Sequence, residues 1–294
     1  MAEREVFSLR PTRQLRRRKL VNRLMETMMV LAALAAVGAL VLVVWAVVRR
    51  GYGALSWDFF TKPPAVGFFA TGGGIANAIV GTIVIVGCAT LFALPLGILV
   101  AIYTHEFAAP GVRRFVSFVL DILNGLPSIV IGIFIFGLVV LAHGQSAVAG
   151  GIALAIIMLP LVARATQEVL ALVPESLREA SFALGVSRWR TVTGVILPAT
   201  FGGIVTGTTL AIARAAGETA PLLFTCALTT NQISWDPREA LQSIPLTIFE
   251  DLEQPDPALH QQAWAAALVL MAFVLVVSVL SKAALARSRR KLSR

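Results

Sequence analysis

The sequence predicts an all-α integral membrane protein with six transmembrane helices. Of its 294 residues, 57% are hydrophobic and only 14% are charged, whereas ordinary soluble domains carry about 25% charged residues. The mean hydropathy is +0.82, and apolar runs long enough to cross a bilayer, about 20 residues each, recur along the chain. This composition excludes a soluble globular protein and a disordered chain.

Six apolar runs are the predicted spans. They are residues 25–48, 75–103, 115–142, 148–169, 199–225 and 262–285. The first run is too long for the apolar region of a secretory signal peptide, which has about 7–15 residues, and therefore predicts an uncleaved span. The predicted organisation is a basic tail (1–24), a six-helix domain (25–285) with a polar loop (173–198), and a second basic tail (286–294).

The basic residues are concentrated in the two tails. Eight lie in the first 24 positions and six in the last thirteen, and they contribute to a net charge of +9. Because both clusters flank hydrophobic segments, they indicate topology and contact with anionic lipid rather than nucleic-acid binding. With both termini in the cytoplasm, 19 basic residues lie inside and four outside, so cytoplasmic termini are predicted.

The residues needed for common enzyme chemistry are missing. None of the four lysines follows a glycine, so a phosphate-binding P-loop is impossible. The three histidines are scattered, and Cys88 and Cys226 lack metal-ligand spacing. No G-x-S-x-G nucleophile motif occurs. The sequence therefore predicts no catalytic residue, no metal site and no cofactor in this chain.

The polar loop at 173–198 predicts two short helices joined by a turn. Pro174 and Glu175 suit the first turn of a helix, which we expect to continue through Ala183. Gly185 suits a left-handed cap. A second helix is predicted from Ser187 to Pro198. By itself, such a hairpin only connects two spans.

Its sequence resembles the EAA loop of the permeases of ABC importers. The matching residues are Glu179, Ala180, Ser181, Gly185, Ile196, Leu197 and Pro198, with Ser181 in place of the motif's second alanine and Val195 in place of its isoleucine. The resemblance implies a type I importer permease fold. It also implies that these residues couple the chain to a separate ATP-binding subunit, which holds ATP and Mg.

The fifth predicted span contains an arginine and a glutamate on one helix face. Arg214 and Glu218 are four residues apart, and intramembrane charges are costly enough to suggest a role. One interpretation is an ion pair that fixes helix packing. The other is an anion path in which Arg214, whose fork can donate to two oxygens, is held by Glu218.

A similar pair, Arg164 and Glu168, is predicted near the cytoplasmic end of the fourth span. It belongs either to the same path or to the membrane interface, where long side chains reach toward water. Asp121 in the third span receives no predicted role. The Gly203-x-x-x-Gly207 motif predicts close helix packing.

Three further segments narrow the resemblance to the permeases of phosphate importers. They are residues 72–82, 124–132 and 213–223, and with the loop the resemblance covers about residues 25–285. It implies a bacterial cytoplasmic membrane protein that works with two copies of the ATPase, a second homologous permease and an extracytoplasmic phosphate-binding protein. A permease for sulfate or molybdate, and an ion-coupled secondary transporter, remain alternatives.

Overall fold

The computed structural model describes residues 13–64 and 73–292. The chain forms two compact units, Met1–Arg49 and Arg50–Arg294. From residue 13, the first unit is part of one long helix, α1 (Arg13–Gly51), which contains the predicted first span. Residues 13–24 of the predicted basic tail are also helical, and the rest of that tail lies outside the described residues. The predicted functional division of the chain stays a prediction.

In its described part, the regular secondary structure of the second unit is helical, apart from an isolated β-bridge between Pro64 and Gly73. Residues 226–243 connect two of its helices without forming a helix. Its first α-helices are α2 (Trp57–Thr61), α3 (Ala76–Ile102), α4 (Pro110–Gly125), α5 (Ser128–Ile135), α6 (Leu141–His143) and α7 (Ala147–Ala171). They are followed by α8 (Glu175–Ala183), α9 (Arg188–Thr191), α10 (Leu197–Ala216), α11 (Leu222–Thr225), α12 (Ile244–Glu253) and α13 (Pro257–Leu292). One-turn π-helices at Tyr103–Phe107, Phe136–Val140 and Val192–Ile196 join consecutive helices.

Helices long and apolar enough to cross a membrane account for the predicted spans. Five are single helical stretches: Arg17–Ala54, Ala76–Phe107, Ala147–Ala171, Arg188–Ala216 and Pro257–Ala283. The stretches Pro110–Gly125 and Ser128–His143 meet at a bend of 96° and, counted as one span, make a sixth among the described residues. The bend follows Gly125 and includes Pro127, whose ring disfavours helical backbone at the preceding residue. The all-α membrane fold is therefore confirmed, and the predicted third span is sharply bent.

Two predicted boundaries of the fifth span are wrong. Pro198 does not end the helix that precedes it, because it lies in the first turn of α10, where its missing N–H is tolerated. At the other end, the helix stops at Ala216 instead of continuing to Thr225. Gly217 has low helix propensity, and Pro221 lacks the N–H that would bond to the Gly217 carbonyl. The predicted range of the fifth span is therefore interrupted after Ala216.

The core of the second unit forms around α7. Helix α10 packs against it in the opposite direction, with Gly203 against Val169 and Gly207 against Ala165. A Cβ atom added at either glycine would lie 2.5 Å from a side-chain atom of its neighbour. The predicted close packing at these glycines is therefore confirmed. Helix α3 packs on α7 in the same direction and contributes buried residues to the same core.

The connection between α11 and α12 closes the first turn of α7. The backbone N–H groups of Ala147 and Val148 donate to the carbonyls of Glu239 and Pro237. Ala149 N–H donates to the Ser146 hydroxyl, and Gly150 N–H to the Ser146 carbonyl. The helix thus begins in a turn whose donors are all bonded within the protein.

Candidate functional site

The loop after α7 folds as the predicted helix–turn–helix, here called the hairpin (residues 175–191). Helix α8 ends at Ala183, and Gly185 has a φ of +74°, a backbone conformation that favours glycine. Val186 N–H donates to the Ser181 carbonyl and Gly185 N–H to the Phe182 carbonyl. These two bonds define a Schellman cap, which explains why the motif requires glycine at this position.

One surface of the hairpin is exposed and partly apolar. Glu179, Ala180 and Gly185 are exposed. Leu184 is 83% exposed and Trp189 is 60% exposed. Large apolar side chains at this level of exposure on a polar loop are typical of an interaction surface.

The opposite surface of the hairpin is packed on the bundle. The hydroxyls of Ser181 and Thr191 are buried and 2.8 Å apart, which ties α8 to α9. Ile196 is buried in an apolar cluster with Leu170 and Val173 at the end of α7. Leu197 is half-buried, whereas Pro198 is exposed. The motif residues therefore divide into an outward-facing set and a set that holds the hairpin in place.

Sequence reasoning missed the charged residue that anchors α8. Arg178 is 8% exposed and lies 3.0 Å from the carboxylate of Glu106, which is itself 5% exposed. Glu106 belongs to the π turn that follows α3. The only sequence signal was a carboxylate directly after an apolar span, and no spacing rule connects it with an arginine 72 residues later.

Arg214 and Glu218 form the predicted pair at the break in the fifth span. The Arg214 Nε atom lies 3.7 Å from the Glu218 Oε1 atom. The Arg214 side chain is 57% exposed and that of Glu218 is 19% exposed. Arg214 lies in the last turn of α10, where the negative end of the helix dipole stabilises its positive charge.

The depth of Arg214 follows from the register between α10 and α7. Gly203 lies against Val169, and Gly207 against Ala165. Arg214 is seven residues further along α10, a rise of about 10 Å. The same register continued in the antiparallel direction brings Arg214 level with Met158, near the middle of α7. The pair therefore lies at half the depth of the bundle.

Arg164 and Glu168 line one polar cavity but do not form the predicted ion pair. The cavity has a volume of about 310 Å³ and is also lined by His105 and Arg113. The Arg164 guanidinium contacts Asp121 instead, at 2.5 Å, and donates to the Ser117 carbonyl at 2.8 Å. A carboxylate on a neighbouring helix therefore replaces the expected i+4 partner, and Asp121, which had no predicted role, holds Arg164.

Of the three segments that carried the narrower resemblance, two meet each other and the third contacts the connection between α11 and α12. Gly132 of α5 lies against Pro221, just past the Arg214–Glu218 pair. At the opposite end of α3 from the hairpin, Asn77 donates to Gln242 at 2.8 Å and to the Thr230 carbonyl at 2.5 Å. The sequence did not predict the contribution of Gln242, because it comes from the connection between the last two spans.

A bundle of apolar spans with an EAA-like hairpin at one end defines a transport permease. The family described as binding-protein-dependent transport system inner membrane components matches residues 93–292. The chain belongs to this family. It is a permease subunit of an ABC transporter, not an enzyme.

Similar curated proteins carry a more specific name. The chain is 38% identical over 270 residues to phosphate transport system permease protein PstA 1 of Mycobacterium tuberculosis, covering 90% of this chain and 88% of the relative. It is 39% identical over 258 residues to PstA of Yersinia pestis, covering 85% of each. A third PstA relative, from Haemophilus influenzae, is 37% identical over 90% of this chain and 94% of the relative.

Solved structures with the same fold are also ABC transporters. A bacterial alginate ABC transporter, in complex with an alginate-bound periplasmic protein, matches with a TM-score of 0.60 and 15% identity over 90% of this chain and 93% of that chain. The inward-facing methionine transporter MetNI matches with a TM-score of 0.58 and 18% identity over 73% of this chain and 94% of that chain. These likenesses concern the fold alone.

Proposed function

We propose that the chain is the permease subunit that moves inorganic phosphate into a bacterial cell in an ATP-driven importer. One observation carries the proposal. The continuous helical stretch Arg188–Ala216 begins in the hairpin and carries Arg214 in its last turn, in the middle of the bundle. The same stretch therefore joins a surface suited to an ATPase with a cation suited to an anion. The PstA names of similar proteins support phosphate as that anion.

The chemistry of Arg214 fits an oxyanion. Its guanidinium makes one contact of 3.7 Å with Glu218 and is more than half exposed, so donors remain free for a ligand. A planar fork donates to two phosphate oxygens at once, which a lysine ammonium cannot reproduce. In the proposed path, Glu218 orients this fork. Arg164 and Glu168, which line the cavity nearer the hairpin, would form a later part of the path.

The hairpin supplies the proposed link to ATP. Its exposed apolar residues, Leu184 and Trp189, would be buried in a groove of a separate ATPase subunit that binds ATP and Mg. Closure of two such subunits would then drive alternating access. A second homologous permease and an extracytoplasmic phosphate-binding protein complete the proposed complex. With the hairpin in the cytoplasm, both termini lie there as well, and the chain spans the cytoplasmic membrane.

Reconstitution tests this function directly. The complex, purified through a tag on this chain, is placed in liposomes with the binding protein, and uptake of labelled phosphate is measured with and without ATP. We expect ATP-dependent uptake that unlabelled phosphate suppresses and sulfate or molybdate does not. Suppression by sulfate or molybdate alone would assign the permease to another oxyanion. Uptake by this chain without the ATPase would favour a secondary transporter instead.

A further inference from the structure

The π turn Tyr103–Phe107 holds both helices of the hairpin. On the α8 side, Glu106 accepts a hydrogen bond from Arg178 at 3.0 Å. On the α9 side, the ring of Phe107 lies 6.3 Å from that of Trp189, and the Arg188 guanidinium lies 5.4 Å from the Phe107 ring. This turn is the direct continuation of α3. The hairpin is therefore attached to α3 as well as to its sequence neighbours α7 and α10.

Within this attachment, Arg178 makes the largest number of hydrogen bonds. Besides Glu106, it donates to the carbonyls of Leu170 and Val173, at 3.1 and 2.9 Å. These carbonyls lie at the end of α7, where the helix leaves acceptors unpaired. The fourth acceptor is Glu175 at 3.2 Å, whose side chain is 73% exposed. One guanidinium thus joins α8, the end of α7 and the turn after α3.

The burial of the pair makes the attachment stiff. Both Glu106 and Arg178 are less than a tenth exposed, so separating them would leave a charge in a poorly solvated place. Glu106 is also 2.9 Å from the His105 ring. Glu175, whose side chain is 73% exposed, can leave Arg178 for water at little cost. The buried pair cannot separate in this way.

Helix α3 connects this attachment with the opposite end of the bundle. It runs for 27 residues, about 40 Å, from Asn77 near its start to the π turn at its end. Asn77 is buried and bonded to Gln242 in the connection between the last two spans. A displacement of the hairpin that is carried by α3 would therefore reach that connection.

We propose that Glu106 and Arg178 are positioning residues that make α3 follow the hairpin during the transport cycle. This inference rests on the proposed function, because it assumes that an ATPase moves the hairpin. Without the pair, the hairpin still binds the ATPase through its exposed surface, but its displacement is only partly passed to α3. ATP is then hydrolysed with less phosphate moved. The pair acts on coupling, not on assembly or on phosphate binding.

The test compares substitutions of the two carboxylates that bond to Arg178. In the reconstituted complex, Glu106→Gln removes the buried carboxylate and Glu175→Gln removes the exposed one. For Glu106→Gln we expect normal co-purification with the ATPase and a fall of about tenfold in phosphate moved per ATP hydrolysed, the effect of losing one charged hydrogen bond. Glu175→Gln should stay within about twofold of the unmodified complex.

A third variant separates coupling from stability. Glu106→Gln combined with Arg178→Met removes both charges, so no unpaired charge is left buried. The proposal predicts that this double variant assembles and remains uncoupled. Normal coupling in the double variant, or failure of both variants to assemble, would overturn it in favour of a purely structural pair. If the unmodified complex moves no phosphate or lacks an ATPase, the proposed function itself is wrong. That result is distinct from a working complex in which the variants stay coupled, which would contradict only the role of the Glu106–Arg178 pair.

Discussion

Two arginines of this permease are paired with glutamates in opposite ways. Arg178 is buried, and four protein acceptors surround its guanidinium. Arg214 is more than half exposed and makes a single ion-pair contact of 3.7 Å. A guanidinium whose two terminal NH2 groups are both used can hold helices together but offers little to a ligand, whereas one with free donors can bind an anion. The number of donors left free, rather than position in the sequence, therefore distinguishes the two proposed roles.

The largest effect is expected for topology, because topology decides on which side of the membrane each arginine lies. A reporter fused after Ser187, inside the hairpin, should report the cytoplasm in every cell. One fused after Gln254, in the connection before α13, should report the outside. Both are read with a periplasm-dependent and a cytoplasm-dependent enzyme reporter. Reversed results would separate the hairpin from any ATPase.

A large effect is also expected at Arg214. Arg214→Gln should lower phosphate uptake by more than about a hundredfold, because a bidentate contact loses two charged hydrogen bonds of about 1.5–3 kcal/mol each. Arg214→Lys should be harmful but milder, since it keeps the charge and loses the fork. Uptake is measured in membranes with matched subunit levels.

The control at this site removes both charges. Arg214→Gln with Glu218→Gln leaves no unpaired intramembrane charge, so a pair that serves only packing should regain uptake. An anion path predicts that the double variant assembles normally and still moves no phosphate. Substantial uptake by it would falsify the anion-path role of Arg214.

A smaller effect is expected at the hairpin turn. Gly185→Asp places a side chain at a φ of +74°, which costs about 1–2 kcal/mol, and adds a charge beside exposed Leu184. We expect about tenfold less ATPase to co-purify while the chain still inserts. Gly194→Ala is the matched control, because Gly194 is helical and has open space around it. Equal recovery of the ATPase from both variants would contradict the coupling role of the hairpin.

The smallest effect is expected at Asp251, a buried acid that lacks the hydrogen-bond partners that Arg178 has. Among the described residues, no group bonds to the Asp251 Oδ2 atom. Burial, with a lesser contribution from the charge of Glu250, raises the pKa of Asp251 from 3.8 to about 7. The folded protein therefore holds this proton more tightly than the unfolded chain does, and its stability falls as pH rises between these two values.

Asp251→Asn should remove that dependence. We expect its melting temperature in detergent to exceed that of the unmodified chain by a few degrees at about pH 8, and the difference to shrink toward about pH 4. Glu250→Gln is the control for the neighbouring charge and should give a smaller gain. A gain for Asp251→Asn that did not vary with pH would contradict burial of a charged carboxylate at this position.

The sequence was sufficient to predict what depends on composition and local spacing. Apolar length predicted the spans, and the glycine at 185 predicted the left-handed turn, because each signal is contained in a few consecutive residues. The same is true of the Arg214–Glu218 pair at i and i+4. For Arg164, the same i, i+4 spacing predicted the wrong partner. The partner four residues away is exposed Glu168, and Asp121 on another helix is closer.

What could not be predicted depends on contacts between distant segments. The 72-residue separation of Glu106 and Arg178 contains no periodic signal, and their pairing exists only because α3 and α7 end at the same place. The sequence also did not predict that the helix continues past Pro198. Proline normally ends a helix, but here the π turn Val192–Ile196 places it in the first turn of α10.

The closed start of α7 has a consequence for how selectivity arises. Helix N-termini commonly attract phosphate because their first N–H groups point at the ion. Here the carbonyls of Glu239 and Pro237 occupy the first two N–H groups, and Ser146 occupies the next two. This helix therefore has no backbone donor to offer an anion at its start. In the proposed anion path, recognition along α7 would therefore come from its side chains, where a single substitution can alter it.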